Sequence, residues 1–362
     1  MHLPAFGDNE NLPLKFLTSL FYSLYPNDHP YSLIIRLSSC LHILTGSLFK
    51  IESTSLFAMP LEDLLSFLGE DVSDPEEESF LLFSQKLPSQ DLGFVDAKAT
   101  NLEITVSGRD LNIRQSPTLL SSNREGGTTG AVVWKITPLF AQWITSNSNI
   151  LFRLSVLDES SIALELGSGI SGVVAIALAR RIGRYIATDQ EYVFKLLKAN
   201  IEDNSPKGTG SGSSIAKHHG KAQVKNGSAR VRSKIEVLGL DWESSLASNL
   251  PAMMGTDSAE VFQPIDAVIA CDCIYNESLI DPFVRTCADI CQLANACSAQ
   301  KPTLCIVAQQ LRSDMVFVAW LKAFHKLFKV WKMPDDHLID ELKDGSGFVV
   351  HVGILRTGTQ SH

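Results

Sequence analysis

Residues 162–172 read IALELGSGISG, and this stretch decides the fold. The short apolar run at 162–166 predicts a buried strand, and a helix is predicted over 173–182. Between them, Gly167, Gly169 and Gly172 stand in G-x-G-x-x-G spacing. Glycines at a strand-to-helix turn permit a tight bend and leave backbone N–H groups facing a ligand at the helix N-terminus. The motif has the context that a cofactor loop requires.

Alternating strands and helices continue from this motif to residue 355. Predicted strands follow at 185–188, 235–240, 265–270, 303–308 and 348–355, and predicted helices at 193–201, 279–293 and 315–328. Strands separated by helices form βαβ units. We therefore expect an α/β fold with a mostly parallel, doubly wound, Rossmann-like sheet.

The domain organisation is predicted from changes in pattern. Residues 128–355 form the cofactor-binding domain, and residues 96–127 lead into it through a β-hairpin. Residues 1–95 are an N-terminal extension of unknown role. Within the domain, residues 205–233 form a low-complexity loop rich in Gly, Ser, Lys and Arg, which we expect to be a disordered insertion because it has little apolar surface to bury.

Inside the extension, residues 61–68 show helical periodicity, and the acid-rich run at 70–78 is interpreted as a solvated linker. Residues 31–49 are apolar but too polar for a convincing membrane span. The N-terminus shows no export signal, so we expect a cytoplasmic or nuclear protein with reduced thiols. We also expect a monomer.

Composition argues against two further classes of site. The chain of 362 residues has a net charge of −9, which disfavours direct nucleic-acid binding through its overall field. Cys287, Cys291 and Cys297 lack a His or a second Cys pair at useful spacing, so no metal site is predicted.

Two acidic side chains help to choose the cofactor. Glu165 precedes the glycine loop, where its carboxylate would repel a pyrophosphate but suits a sulfonium amino acid, so a nicotinamide dinucleotide is disfavoured. Asp189 ends the second strand, where its carboxylate can accept hydrogen bonds from two ribose hydroxyls or cap a helix. Trp242 follows the third strand and can lie against an adenine ring or simply fill the core.

The fourth strand is followed by a second group of polar residues, with Asp272 and Tyr275 in the run CDCIYNE at 271–277. Ligands of open α/β sheets bind outside the carboxyl ends of the strands. An Asp followed by an aromatic residue at that edge can hold a substrate amine by charge and by ring contact. A helix cap and a core tyrosine are the alternative.

Together these motifs closely resemble the protein-lysine branch of the seven-strand methyltransferases, the methyltransferase-like protein 21 group. The resemblance runs from about residue 128 to 355 and rests on Thr129-Gly130, Val133-Trp134, Glu165 to Gly169, Asp189, Leu240-Asp-Trp242 and Asp272-Cys-Ile-Tyr275. The run from Asp272 to Phe283, with Leu311-Arg-Ser313, is most similar to fungal ribosomal lysine methyltransferases that modify a large-subunit protein of the L1 stalk.

The resemblance implies an S-adenosylmethionine-dependent protein-lysine N-methyltransferase whose partner is a ribosomal protein substrate. It implies that Asp272 and Tyr275 face the target lysine. It also implies a set of cofactor-lining residues: Trp134, Glu165, Gly167, Ser168, Gly169, Asp189, Trp242 and Cys271.

Two alternatives remain from the residues themselves. An adenine N6 methyltransferase on RNA or DNA would carry Asp/Asn-Pro-Pro-aromatic where this chain has Asp-Cys-Ile-Tyr, and the prolines are missing. A catalytically inactive binding protein of the same fold is disfavoured by the presence of both Asp272 and Tyr275.

Overall fold

The computed structural model describes residues 54–88, 91–124, 127–205, 234–245, 247–253, 263–297 and 301–356. These residues belong to one compact unit that begins at Thr54. The loop that was predicted to be disordered lies outside the described residues from 206 onward. The apolar run at 31–49 also lies outside them. Among the described residues, no helix combines the length and apolar character needed to cross a membrane.

Strands and helices alternate along most of the described chain. The strands are β1 (Asn101–Val106), β2 (Arg109–Arg114), β3 (Ile162–Leu166), β4 (Arg184–Asp189), β5 (Ile235–Gly239), β6 (Ala267–Cys271), β7 (Leu304–Gln310), β8 (Phe328–Lys332) and β9 (Phe348–Leu355). The α-helices are α1 (Thr54–Leu68), α2 (Pro75–Phe83), α3 (Pro117–Leu120), α4 (Ile136–Ile144), α5 (Ile150–Arg153), α6 (Val173–Leu178), α7 (Phe194–Asn204), α8 (Leu250–Met253), α9 (Ile280–Cys297) and α10 (Asp314–Leu327). Short 3-10 helices occupy Thr129–Ala131, Glu191–Val193, Ala247–Asn249, Glu277–Leu279, Asp335–His337 and Asp340–Leu342.

The main sheet has seven strands in the order β5-β4-β3-β6-β7-β9-β8. Strands β3 to β7 run parallel, and β9 is antiparallel to both of its neighbours. This confirms the predicted α/β, Rossmann-like fold and the seven strands that the resemblance implies. The five-residue strand β8 was not predicted, because it starts directly at the end of α10 with no turn residue between them.

Helices cover both faces of the sheet, and alternate residues of each strand point to opposite cores. One face of β3 and β4 buries Ala163 and Tyr185 against α4 and α6, while the other face buries Leu164 and Ile186 in the core that α9 and α10 supply. All five residues of β3 and of β6 are buried. This double burial explains why these strands appear in the sequence as continuous apolar runs.

The acid-rich run at 70–78 is not a linker as interpreted, because its second half begins helix α2. Asp74 caps the helix by accepting from the Glu76 N–H, and Pro75 occupies the first turn. Three glutamates in that first turn face the positive end of the helix dipole, which favours them there. Leu82 then enters the core on the α10 side of the sheet.

The N-terminal part of the unit also packs on the sheet. Leu64 and Leu68 of α1 lie in the core on the α4 side, and the Val72 N–H donates to Val330 O on β8 at 2.7 Å. The compact unit therefore takes in residues 54–95 of the proposed extension. The predicted hairpin is present as β1 and β2, which pair in antiparallel register.

Candidate active site

A cavity of about 350 Å³ opens at the carboxyl ends of the parallel strands. Side chains that follow β3, β4, β5 and β6 line it, including Ser168, Asp189, Trp242 and Tyr275. It lies beside β3, where the strand order reverses: the chain runs from β3 to β4 and β5 on one side and then crosses to β6 on the other side. Open α/β sheets bind their ligands at such a switch point, and the volume is in the range of small-molecule sites.

Neighbouring side chains pack directly against the backbone of the glycine loop. Gly167, Gly169 and Gly172 all have left-handed φ angles, of 69°, 59° and 60°. A Cβ on Gly167 would lie 2.8 Å from Cys273 Sγ and 3.3 Å from the Trp242 ring. A Cβ on Gly130 would lie 2.9 Å from the Tyr192 hydroxyl. Only glycine adopts such φ angles readily and also has no Cβ to collide with these side chains.

Asp189 closes the loop from the end of β4. Its Oδ2 accepts from the Gly169 N–H at 2.8 Å, and its Oδ1 accepts from the Gln190 N–H at 2.7 Å. Burial raises the pKa of this carboxyl to about 6, against the two backbone hydrogen bonds that lower it. Each oxygen retains a lone pair for a ligand hydroxyl in the cavity.

Glu165 lies on β3 beneath the loop and is buried. Burial raises its pKa to about 7, against the lowering effects of the Ser168 and Tyr185 hydroxyls, and the Tyr185 hydroxyl donates to its Oε2 at 2.9 Å. The Ser168 side chain is buried next to it. A carboxyl group held near its titration point is a feature of a site that binds a polar ligand.

The remaining predicted cofactor residues line the same cavity. Trp242 is partly buried and meets Phe283 edge-on at 5.2 Å between ring centroids. Trp134 is held by its indole N–H, which donates to Thr129 O at 3.1 Å. Burial strongly raises the pKa of the Cys271 thiol, so this residue is a neutral wall of the cavity and not a nucleophile.

Asp272 lines the cavity, and its carboxylate has a partner that the sequence did not reveal. Arg312 donates to Oδ1 through Nη1 at 2.7 Å and to Oδ2 through Nη2 at 2.6 Å. The Asp272 side chain is only 1% exposed. Its backbone is left-handed, with φ 61°, a conformation that costs about 1–3 kcal/mol for a residue other than glycine. Such strain persists only where the surroundings enforce it.

Tyr275 stands at the mouth of the cavity and is 39% exposed. Sequence reasoning missed Tyr192, which also lines the cavity. The Arg124 guanidinium lies 4.1 Å from the centroid of the Tyr192 ring, and burial raises the pKa of the Tyr192 hydroxyl to about 12. The two tyrosines give the cavity a partly aromatic lining.

The residues present fit S-adenosylmethionine. The glycine loop and Ser168 line the cavity, and Asp189 keeps free lone pairs. Glu165 lies beneath the loop, where a sulfonium or an ammonium group would favour its ionised form. In the part of the chain that the structure describes, no group of three or more His, Cys, Asp or Glu residues could hold a metal ion. Cys287 and Cys291 are buried in the core.

Comparison with known proteins supports this interpretation. A family model described as lysine methyltransferase matches residues 113–218. The ribosomal lysine N-methyltransferase 5 of Zygosaccharomyces rouxii is 32% identical over 226 residues, which cover 59% of this chain and 70% of that protein. The enzyme of the same name from Vanderwaltozyma polyspora is 28% identical over 333 residues, which cover 81% of this chain and all of that protein.

A third relative is larger. A Schizosaccharomyces pombe protein named diaminohydroxyphosphoribosylamino-pyrimidine deaminase is 29% identical over 260 residues, and the match covers 72% of this chain but only 53% of that protein. The chain thus spans about half the length of this relative. Among solved structures, the N-methyltransferase NodS of Bradyrhizobium japonicum matches at a TM-score of 0.30 with 8% identity, covering 54% of this chain and 78% of that one.

The resemblance seen in the motifs is confirmed by these relatives. The family model covers the glycine loop and Asp189, and the yeast matches extend over most of the described chain. Members of this family use S-adenosylmethionine, the cofactor that the cavity fits. On the evidence of the Zygosaccharomyces relative, of which more than two thirds is matched, this chain belongs to the lysine methyltransferase family.

Proposed function

We propose that this chain is an S-adenosylmethionine-dependent protein-lysine N-methyltransferase that modifies a ribosomal protein, in particular one of the large subunit. The observation that carries the proposal is a cavity that has residues suited to a cofactor in one part and residues suited to a lysine in another. Asp189 and the glycine loop lie at its inner end, and Tyr275 lies at its mouth. The names of the yeast relatives support a ribosomal substrate.

The inner end would hold the cofactor. Asp189 would accept from its ribose hydroxyls, Trp242 and Trp134 would flank it, and Glu165 with Ser168 would lie near its amino acid end. When bound, S-adenosylmethionine supplies a sulfonium methyl group, whose S–C bond breaks as a lysine nitrogen forms the new C–N bond and then releases a proton to water. The cavity walls have the task of aligning the two reactants.

The mouth would hold the lysine. A free lysine has a pKa near 10.4, so presenting it as a neutral amine at pH 7.4 costs about 4 kcal/mol. Tyr275 and Tyr192, which both line the cavity, would lower that cost by removing water from the ammonium group. Tyr275 would pack along the lysine stem, and Asp272 would help to aim the nitrogen instead of acting as a strong base.

Charge supports a basic protein as the partner. The chain has a net charge of −9, and Glu243 and Glu277 are exposed beside the cavity mouth. An acidic surface attracts a positively charged partner and speeds its association. We further propose that the protein acts as a monomer in the cytoplasm or the nucleus, without binding nucleic acid directly.

The test is methyl transfer to ribosomal proteins. Purified protein and labelled cofactor are incubated with ribosomal subunits from cells that lack this gene, and the labelled residue is identified by mass spectrometry. Asp272→Asn and Tyr275→Ala should reduce transfer by roughly 100-fold or more, while cofactor affinity stays within a few-fold of wild type. Glu159→Gln, at an exposed position away from the cavity lining, serves as the control. Label only in RNA, or no transfer, would contradict the proposal.

A further inference from the structure

Arg312 is an internal cation that the proposed reaction leaves without a role. It lies two residues beyond β7, and its side chain is 19% exposed. Four of its five N–H donors are used within the protein. They bind the two Asp272 oxygens, the Gln310 side-chain oxygen at 3.0 Å and Leu92 O at 3.1 Å. Because these donors all have partners, the plane of the guanidinium group is fixed.

The same guanidinium touches a second wall of the cavity. Its carbon lies 4.9 Å from the centroid of the Trp134 ring. Trp134 in turn packs against Phe94 at 4.5 Å between ring centroids and forms a β-bridge with it. Arg312 therefore joins Trp134 to Asp272, two residues that line the cavity from different elements.

The chain segment 91–94 crosses directly over this contact. Gly93 approaches so closely that a Cβ on it would lie 2.5 Å from Arg312 Nη2, and its φ is 85°. The Lys135 N–H donates to Gly93 O at 2.7 Å, which ties the segment to the residue after Trp134. The segment shields the ion pair from water and so strengthens it.

Asp272 needs such support. Its left-handed backbone begins the turn that carries Tyr275, and its N–H donates to Ala308 O at 2.7 Å. The guanidinium fork holds the side chain of the same residue. The position of Tyr275 at the cavity mouth thus depends on Asp272, and the conformation of Asp272 depends on Arg312.

The ion pair between Arg312 and Asp272 also changes the charge next to the target lysine. A lone carboxylate beside a lysine would favour the ammonium form, which cannot accept a methyl group. Paired with Arg312, Asp272 adds no net charge to this wall. The other ionisable side chains that face the cavity are Glu165, Asp189, Tyr192, Asp241, Glu243, Cys271, Cys273 and Tyr275, and Arg124 lies behind Tyr192.

We propose that Arg312 is the positioning residue of the target-amine site, which holds Asp272 and Trp134 in place and cancels the negative charge of Asp272 so that the lysine can be presented as a neutral amine. This inference rests on the proposed lysine methylation and adds to it a residue that does not itself line the cavity. It gives the Asp272 carboxylate a different task from direct binding of an ammonium group.

The test uses charge changes of opposite sign. Single-turnover methylation at saturating cofactor is followed between about pH 6.5 and 9.5 for four proteins, and its midpoint reports the bound amine. Arg312→Gln should move the midpoint upward by roughly one to three units, because the Asp272 carboxylate is then unpaired. Asp272→Asn should move it downward, since an unpaired guanidinium disfavours the ammonium. The double variant should return to the wild-type midpoint, whatever its rate.

A lysine at position 312 separates charge from geometry. Arg312→Lys keeps the charge but lacks the planar fork and the stacking face. We expect a wild-type midpoint with a rate reduced by about tenfold, whereas the apparent cofactor affinity should change little in all variants. Arg114→Gln is the matched control, because it breaks another Arg–Asp pair, with Asp203, whose residues do not line the cavity.

Hydrogen exchange tests the positioning without any substrate. The peptide that covers residues 272–279 should exchange roughly tenfold faster in Arg312→Gln than in wild type, and less so in Arg312→Lys. An unchanged midpoint together with unchanged exchange in Arg312→Gln would overturn the inference. If the wild-type protein methylates no lysine, the proposed function fails, and the exchange measurement alone then decides whether Arg312 positions this turn.

Discussion

Replacing Glu165 by glutamine should stabilise the protein without cofactor, and more so as the pH rises. Glu165 is buried on β3, and burial raises its pKa from 4.5 to about 7. The folded state therefore binds a proton at this residue more tightly than the unfolded state does. Stability from this group is fully present below about pH 4.5 and is lost as the pH rises through about 7. A glutamine has no such proton to lose.

The size of the effect follows from the shift. A change from 4.5 to about 7 corresponds to about 3 kcal/mol at full ionisation, at about 1.36 kcal/mol per unit. Between pH 5 and pH 8 the stability advantage of Glu165→Gln should grow by roughly 2–3 kcal/mol. The amide oxygen of glutamine can still accept from the Tyr185 hydroxyl, so the hydrogen bond itself is retained.

Urea unfolding at pH 5 and pH 8, without cofactor, measures the advantage directly. Glu159→Gln, at an exposed site, is the matched control and should show no such growth with pH. Calorimetry should show weaker binding of S-adenosylmethionine by Glu165→Gln, since the cationic cofactor loses a carboxylate. A stability difference that is the same at both pH values would refute the reasoning, because the ionisation of Glu165 would then cost the folded state nothing.

Three further outcomes are expected. Asp189→Ala should weaken cofactor binding in calorimetry by about 1.5–3 kcal/mol, because hydrogen bonds from the ribose hydroxyls to a carboxylate are lost, and an affinity within twofold of wild type would contradict this role. Leu82→Ala should lower the free energy of unfolding by about 2–5 kcal/mol, whereas Leu81→Ala, at a 56% exposed neighbour, should change it by less than about 0.5 kcal/mol. Wild-type lysine methylation in a single-turnover assay should rise between about pH 7 and 9 as the bound amine loses its proton, and a flat profile would contradict that assignment.

The cofactor end of the site could be predicted because its signals are local in sequence. Gly167, Gly169 and Gly172 follow their strand directly, and Asp189 ends the next one. A parallel sheet brings such strand ends together whatever the details of packing. The helix periodicity and the buried runs were likewise sufficient for the order of strands and helices from β3 to β7.

The amine end could not be predicted in the same way. Arg312 meets Asp272 across 40 positions of sequence, and nothing near either residue indicates the partner. Tyr192 was overlooked because it lies in the short connection between the strand predicted at 185–188 and the helix predicted at 193–201, where it forms part of a 3-10 helix. Helix α2 was missed because its acidic first turn suggested a solvated segment, and because the cap at Asp74 and one buried apolar residue, Leu82, are weak signals of a helix. Tertiary contacts decide all three cases.

Three carboxyl groups that line the cavity divide it into two electrostatic regions. Glu165 accepts from a neutral tyrosine hydroxyl and Asp189 from backbone N–H groups, and burial raises the pKa of both. A cationic ligand would stabilise the ionised form of both carboxyl groups, so the inner end favours the charged methyl donor. Asp272 instead pairs with a guanidinium group that cancels its charge, so the outer end stabilises an ammonium group only weakly. Because a methyl acceptor must be neutral and the donor is a cation, this division matches the demands of the reaction at each end.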